Sequence, residues 1–241
     1  MVFLLHLLSH LVILEKKTDK MVKKNEIAVV LSGCGVFDGA EIHESVLTLL
    51  AITKHGAEYQ IFAPDVEQYH VINHLTGAEM PEKRNVLVEA ARIARGNIMP
   101  LSQLDLHLFD AVVFPGGFGV AKNLCTFAID GIAYTLNNDV EQVIRKAHSL
   151  GKPIGAMCIA PVMIPKILSN VEVTIGSDEA TASAINNMHG RHILTTHGEV
   201  VIDTKNKVVS APCYMLDATI DQIAMETENL VKEVLKLILQ K

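Results

Sequence analysis

Cys158 stands in the run Gly151-Lys152-Pro153-Ile154-Gly155-Ala156-Met157-Cys158-Ile159-Ala160-Pro161. An apolar stretch leads into it, and the segment leading out has no strong breaker before Pro165, so the spacing predicts a strand, a turn and a helix. A cysteine at such a junction has the shape of a nucleophile elbow, where a sharp turn exposes one reactive side chain at the carboxyl edge of a sheet. Ala156 and Ala160 are small enough for so tight a turn. The competing reading is a buried small hydrophobe, the ordinary condition of a free cysteine.

The elements that must position Cys158 alternate along the chain. Ile27–Leu31 is a continuous apolar run, as a parallel strand covered on both faces requires. Glu41–His55 follows as a helix, with Ile42, Val46, Leu49, Leu50 and Ile52 as its apolar side and Gly56 ending it. Tyr59–Ala63 is a second strand. An irregular excursion, Val66–Gln103, contains a helix over Asn85–Arg95. Ala111–Phe114 is a third strand, Asp139–Leu150 a helix, and Pro153–Met157 the strand that delivers Cys158. Beyond Pro165 the pattern predicts a short strand (Val171–Ile175), a helix (Glu179–Met188) and a hairpin with arms Glu199–Asp203 and Lys207–Ser210. One long amphipathic helix, Asp217–Gln240, closes the chain. The fold class is therefore α/β: a three-layer α/β/α arrangement on a mostly parallel, doubly wound, flavodoxin-like sheet, with a C-terminal hairpin and helix. Glycine and proline cluster only in turns, so residues 21–241 read as one domain.

In such a sheet ligands bind outside the carboxyl ends of the strands. Three of those ends carry unusual residues. The first strand runs into Ser32-Gly33-Cys34-Gly35-Val36-Phe37-Asp38-Gly39-Ala40-Glu41-Ile42-His43-Glu44, and the third into Pro115-Gly116-Gly117-Phe118-Gly119; the next is the Cys158 turn. Closely spaced glycines let backbone N–H groups approach a ligand and stabilise an oxyanion.

These segments, with Val120-Ala121-Lys122-Asn123-Leu124 and the closing Asn206-Lys207-Val208-Val209-Ser210-Ala211-Pro212, resemble the PfpI-like branch of the class-I glutamine amidotransferase-like superfamily. The likeness is greatest to its ElbB-type (enhancing lycopene biosynthesis) members, and it runs from about Ile27 to the C-terminus. The resemblance implies a cysteine nucleophile, Cys158, paired with a carboxylate of the first helix. By position that is Glu44, with Glu41 as second choice. A carboxyl buried beside a thiol has its pKa raised by desolvation, and once protonated it can donate a hydrogen bond to a thiolate. The alternative is that both acids merely complement the helix dipole. The family pattern places oxyanion donors at the N–H groups of Gly117 and Ile159. Gly33, Cys34, Gly116 and Pro212 are candidate pocket residues.

Several residues narrow the chemistry. Some members of the superfamily carry histidine directly after the nucleophile, whereas this chain has Ile159, which speaks against a peptidase dependent on an adjacent imidazole. His197-Gly198-Glu199 matches the H-x-E element of amidotransferases in form only, since it opens a hairpin arm close behind Cys158 and lacks the intervening proline. His189, His192 and His197 fit no zinc spacing and read as loop histidines, so no metal is expected. His43 could border the cleft. The glycine run after the first strand is out of register for a dinucleotide fingerprint. Cys34 and Cys213 are candidate resolving thiols, and Cys125 a packing residue.

Composition limits the partners. A net charge of −6, no tryptophan and scattered basic residues argue against nucleic acid. Met1–Leu14 is almost wholly apolar but too short to span a bilayer, and Met21-Val22-Lys23-Lys24 reads as a natural start, which makes residues 1–20 an N-terminal extension with no membrane role. Four scattered cysteines without C-x-x-C spacing point to free thiols in a reducing compartment, read here as the cytoplasm. The long last helix and outward apolar residues predict a homodimer. The resemblance implies a cofactor-independent glyoxalase-type hydro-lyase that converts small 2-oxoaldehydes such as glyoxal to 2-hydroxy acids. A redox-sensing role for Cys158, or a role in isoprenoid metabolism, are the alternatives.

Overall fold

Residues 24–240 are described by a computed structural model; the predicted extension over residues 1–20 lies outside the described residues. In chain order come β1 (Glu26–Val30), α1 (Ile42–Lys54), β2 (Glu58–Ala63), the small hairpin β3 (Val71–Ile72) and β4 (Glu79–Met80), α2 (Val86–Ile93) and β5 (Ile98–Pro100). The chain continues through β6 (Ala111–Phe114), the short α3 (Phe127–Asp130), α4 (Asn138–Ser149), β7 (Ile154–Met157) and β8 (Glu172–Val173). It ends with α5 (Glu179–Asn187), β9 (Arg191–His192), β10 (Val201–Asp203), β11 (Val208–Ala211) and α6 (Ile220–Leu239). The main sheet has seven strands in the order β10-β11-β7-β6-β1-β2-β5. Every neighbouring pair is parallel except β10 with β11.

Strand periodicity sorts side chains between two layers of helices. On β1, Ile27 and Val29 pack with α1, α2 and α6, while Ala28 and Val30 pack with α4 on the opposite face. On β6, Ala111 and Val113 take the first face and Val112 and Phe114 the second. Both faces of these strands are buried, which is why they read as unbroken apolar runs.

Four local expectations are corrected. The apolar side foreseen for α1 faces the core only in part: Ile52 is buried and Leu49 packs against the core, but Ile42, Val46 and Leu50 are exposed, and the polar Glu44, Ser45 and Thr48 are buried with Ala51. The polar residues tolerate burial because each is satisfied. Ser45 Oγ donates to Glu41 O at 2.6 Å and Thr48 Oγ1 to Glu44 O at 2.7 Å. No α-helix leaves Cys158; Ala160–Met163 makes a 3₁₀ turn followed by further turns, because Pro161 and Pro165 lack the N–H groups an α-helical ladder needs. Of Val171–Ile175 only β8 is strand, and it pairs with β9 outside the main sheet. Lastly, β5 is an edge strand with no sequence signature, being three residues long and ending in Pro100, which only an edge accommodates.

Helix α6 lies along the sheet through Ile223, Leu230, Val231, Val234 and Leu237. A Cβ added to Gly155 in the middle of β7 would lie 2.9 Å from Leu230 Cδ2, 3.1 Å from Val113 Cγ2 and 3.2 Å from Val234 Cγ2. Gly155→Ala is therefore an overpacking substitution costing about 1–3 kcal/mol, or roughly 2–12 °C in Tm. A thermal melt unchanged by it would mean that α6 does not sit this close to β7.

Candidate active site

The sheet order places β1 beside both β2 and β6, so the connections after β1 and β6 leave in opposite directions and a crevice opens between them. The two glycine loops meet there and bond to each other. Glu41 N–H donates to Gly116 O at 2.9 Å, Phe118 N–H to Val36 O at 2.8 Å and Gly119 N–H to Gly39 O at 2.9 Å. Asn123 locks the junction from below, donating to Ser32 O and Asp38 O, both at 2.9 Å, and accepting from Tyr69 N at 2.9 Å. Only glycine permits this approach: a Cβ on Gly117, whose φ is +101°, would fall 2.4 Å from Gly39 O.

Cys158 follows β7 with φ at +58°, the left-handed region that a residue with a Cβ rarely occupies. Its N–H is fixed by Ala211 O at 3.0 Å on the neighbouring strand β11. The residue is 7% exposed. The N–H groups of Gly117 and Ile159 and the carboxyl of Glu44 act on its thiol electrostatically. A Cβ imagined on Gly116 would be 2.8 Å from Cys158 Sγ and 2.6 Å from Glu44 Oε2, so thiol and carboxyl close over the same bare glycine.

Glu44 is wholly buried on α1. Its Oε2 accepts from Gly116 N at 2.9 Å and its Oε1 from Tyr214 N at 3.1 Å. Burial outweighs these donors and pushes its pKa up to about 8. Burial also pushes the Cys158 thiol up, with an ionised Glu44 adding to the effect, while the N–H groups of Gly117 and Ile159 pull it down. The two groups titrate as a pair.

Cys158 faces a cavity of about 380 Å³, lined also by Gly117, Phe118, Ile159 and Tyr214 among others, while Glu44 is not part of its lining. A groove of about 490 Å³ between Leu101 and α4 holds neither cysteine nor histidine.

The structure brings Cys158, Glu44, Gly116, Gly117 and Ile159 together and places the other candidates elsewhere. Glu41 precedes α1 as its N-cap, accepting from Glu44 N at 2.7 Å, so this acid serves the helix N-terminus. Gly33 packs its loop against Gly39 and Gln68. Cys34 is influenced by Glu89 and Arg92 of α2, and burial raises its thiol. Pro212 does not line the cavity; it precedes the turn Cys213–Met215 that presents Tyr214. Cys213 is fully buried, with its N–H donating to Glu226 Oε2 at 2.6 Å. Cys125 is packed in the core, its thiol pushed up to about 12 by burial. His43 reaches the site only through Tyr214, whose hydroxyl lies 2.9 Å from its Nδ1. His197 lies 3.4 Å from Glu226 Oε1, and His192 Nε2 accepts from Ile175 N at 3.3 Å. Among the described residues no cluster of histidine, cysteine and carboxylate is arranged to hold a metal.

Tyr214 is the residue sequence reasoning missed. Its one signal is position, since it lies just past the carboxyl end of β11, beside the strand that carries Cys158.

Because Glu44 holds its proton more tightly when folded, the unfolded chain releases it near its ordinary value of 4.5 and the folded chain only near 8. Stability from this group is complete below the lower value and falls as pH rises through the window. Thermal melts of the native protein should lose stability from pH 5 to pH 8, on the order of a few kcal/mol, and Glu44→Gln should flatten that slope. Equal slopes in the two proteins would show that Glu44 ionises normally.

No family model matches the chain. A search of curated proteins finds glutamine amidotransferase-like class 1 domain-containing protein 3, mitochondrial, from Homo sapiens, 47% identical over 221 residues, covering 88% of this chain and 82% of that protein. The ES1 protein homolog, mitochondrial, of Rattus norvegicus is 46% identical over 88% of this chain and 83% of its own length. Among solved structures, an isoprenoid biosynthesis protein with amidotransferase-like domain from Ehrlichia chaffeensis superposes with a TM-score of 0.83 at 33% identity, covering 88% of this chain and 99% of that one. Drosophila melanogaster DJ-1beta, at 18% identity and a TM-score of 0.53, shares the fold. These relatives overturn the cytoplasmic location expected above, because the curated ones are mitochondrial proteins. Free thiols report a reducing milieu and do not specify which compartment provides it. With this identity and coverage, the chain belongs to the class-I glutamine amidotransferase-like, DJ-1/PfpI superfamily, in its ES1/ElbB-type branch.

Proposed function

We propose that the chain is a glyoxalase-type lyase that converts small 2-oxoaldehydes to 2-hydroxy acids with Cys158 as nucleophile and no cofactor. The observation that carries this reading is the buried Cys158–Glu44 pair, closing together over Gly116 with a cavity in front of the cysteine. The mitochondrial naming of the relatives makes mitochondria the compartment we infer.

The chemistry follows from what each group can do. Once the pair has given up one proton, the ionised Glu44 takes the proton remaining on the thiol as the sulfur adds to the aldehyde carbon. The former carbonyl oxygen becomes an alkoxide two bonds from the sulfur, within the field of the Gly117 and Ile159 N–H groups, and takes the proton back from Glu44 to give a hemithioacetal. Glu44, now ionised, accepts the proton from that carbon and returns it to the neighbouring one, leaving a thioester of the 2-hydroxy acid. Water cleaves the carbon–sulfur bond, releasing the acid and restoring the thiol. One carbon is oxidised and its neighbour reduced, so the sum is aldehyde plus water with no external oxidant.

A peptidase is disfavoured because Ile159 stands where a histidine base would be needed. A redox sensor is disfavoured because sensor thiols are solvent-accessible, whereas Cys158 is buried.

Assay of glycolate formation from glyoxal tests the reading. Cys158→Ser should lower kcat/KM at least about a thousandfold and Glu44→Gln about a hundredfold or more. In the native enzyme kcat/KM should rise with pH toward about 8, as the pair loses its first proton. Turnover unaffected by either substitution contradicts the proposal.

A further inference from the structure

The cavity before Cys158 is larger and more apolar than a two-carbon dialdehyde requires. At about 380 Å³ it falls within the range of pockets that enclose ligands well beyond glyoxal in size. Its apolar walls include Val36, Phe118, Ala121, Phe127 and Met215, and Thr181 and Tyr214 are among its polar lining. Phe127 is set by an edge-on contact with Tyr134, at 5.6 Å between ring centroids and 90° between planes. Phe118, half exposed, has the Lys122 ammonium 5.1 Å from its ring centroid.

The charge around the cavity is equally selective. Lys122 Nζ is turned away, donating to Phe37 O at 2.8 Å and engaging His70 Nε2 at 2.9 Å, and it lines a neighbouring cavity with those residues. Among the described residues no lysine, arginine or histidine lines the Cys158 cavity. The carboxylate that does line it is Asp178, whose side chain caps α5 by accepting from Thr181 N at 2.8 Å. The Thr181 side chain, with its N–H, holds the carboxyl below the usual carboxylate range. An anionic substrate would therefore meet a like charge and no counter-charge, whereas an uncharged apolar group would meet aromatic and aliphatic walls.

We propose that the site selects uncharged 2-oxoaldehydes bearing an aromatic or branched apolar substituent, seated against Phe118, Phe127 and Met215, and discriminates against carboxylated or phosphorylated ones. The inference rests on the glyoxalase reading and adds the substrate class to it. The reaction balances as before: phenylglyoxal plus water gives mandelate, the thiol being regenerated.

The experiment compares kcat/KM for glyoxal, methylglyoxal, phenylglyoxal and 4-carboxyphenylglyoxal on the purified full chain. Phenylglyoxal should exceed methylglyoxal by about tenfold or more, and the carboxylate should remove at least about tenfold of that gain. In Phe127→Ala, and in the milder Phe127→Leu, the phenyl-to-methyl ratio should fall. A ratio taken within one preparation is independent of the fraction folded. A preference for methylglyoxal, or a ratio unmoved by both variants, overturns the inference while leaving the glyoxalase reading intact. Faster turnover of the carboxylated aldehyde also overturns it and points to Lys122 as an anion contact. No turnover of any aldehyde removes both readings together.

Discussion

The whole site depends on burying an acid beside a thiol. Glu44 is removed from water in the wall of the core, a placement that would cost several kcal/mol for an ionised carboxylate and is met by keeping the group protonated and bonded. Its two oxygens are served by backbone N–H groups from two separate loops, those of Gly116 and Tyr214. Those donors come from beyond β6 and β11, so the carboxyl can be satisfied only when both strands are in register with their neighbours. The same burial lifts the Cys158 thiol, and the N–H groups of Gly117 and Ile159 oppose it. The chemistry and the fold are thus conditions of one another at this point.

Glycine makes the burial sterically possible. Gly116 leaves room for sulfur and carboxyl to meet, and Gly117 and Gly119 let the loop after β6 lie against the loop after β1. Cys158 itself adopts a left-handed conformation at the end of β7. Strain there is held by the Ala211 carbonyl on one side and by the proline-limited 3₁₀ turn on the other. The resulting rigidity suits a site whose geometry must exist before substrate arrives.

Much of this was legible in the sequence because it rests on local patterns. The apolar runs marked β1, β6 and β7, since strands buried on both faces must be apolar throughout, and the glycine clusters marked the strand ends. The apolar side of α1 was misread for an equally physical reason. Periodicity assumes that the buried face is the apolar one, whereas α1 turns Glu44, Ser45 and Thr48 inward, where backbone N–H groups from distant segments satisfy Glu44 and carbonyls one turn back satisfy the two hydroxyls. Glu41 and Glu44 looked alike in sequence; the helix start, one residue after Glu41, makes the first a cap and leaves the second to the site. Tyr214 was invisible because its contribution is a backbone N–H, which every residue but proline carries. The compartment was missed because cysteine chemistry records redox poise alone.

The central claim is that Glu44 is a neutral acid in the folded protein near neutral pH, coupled to Cys158. Infrared difference spectroscopy between the native protein and Glu44→Gln reads this directly, through the C=O stretch of a protonated carboxylic acid. The account predicts a protonated-carboxyl band at neutral pH that is absent from Glu44→Gln, disappears as pH rises through about 8, and shifts in frequency in Cys158→Ser. A carboxylate signature already complete at pH 6, insensitive to the state of Cys158, would contradict it.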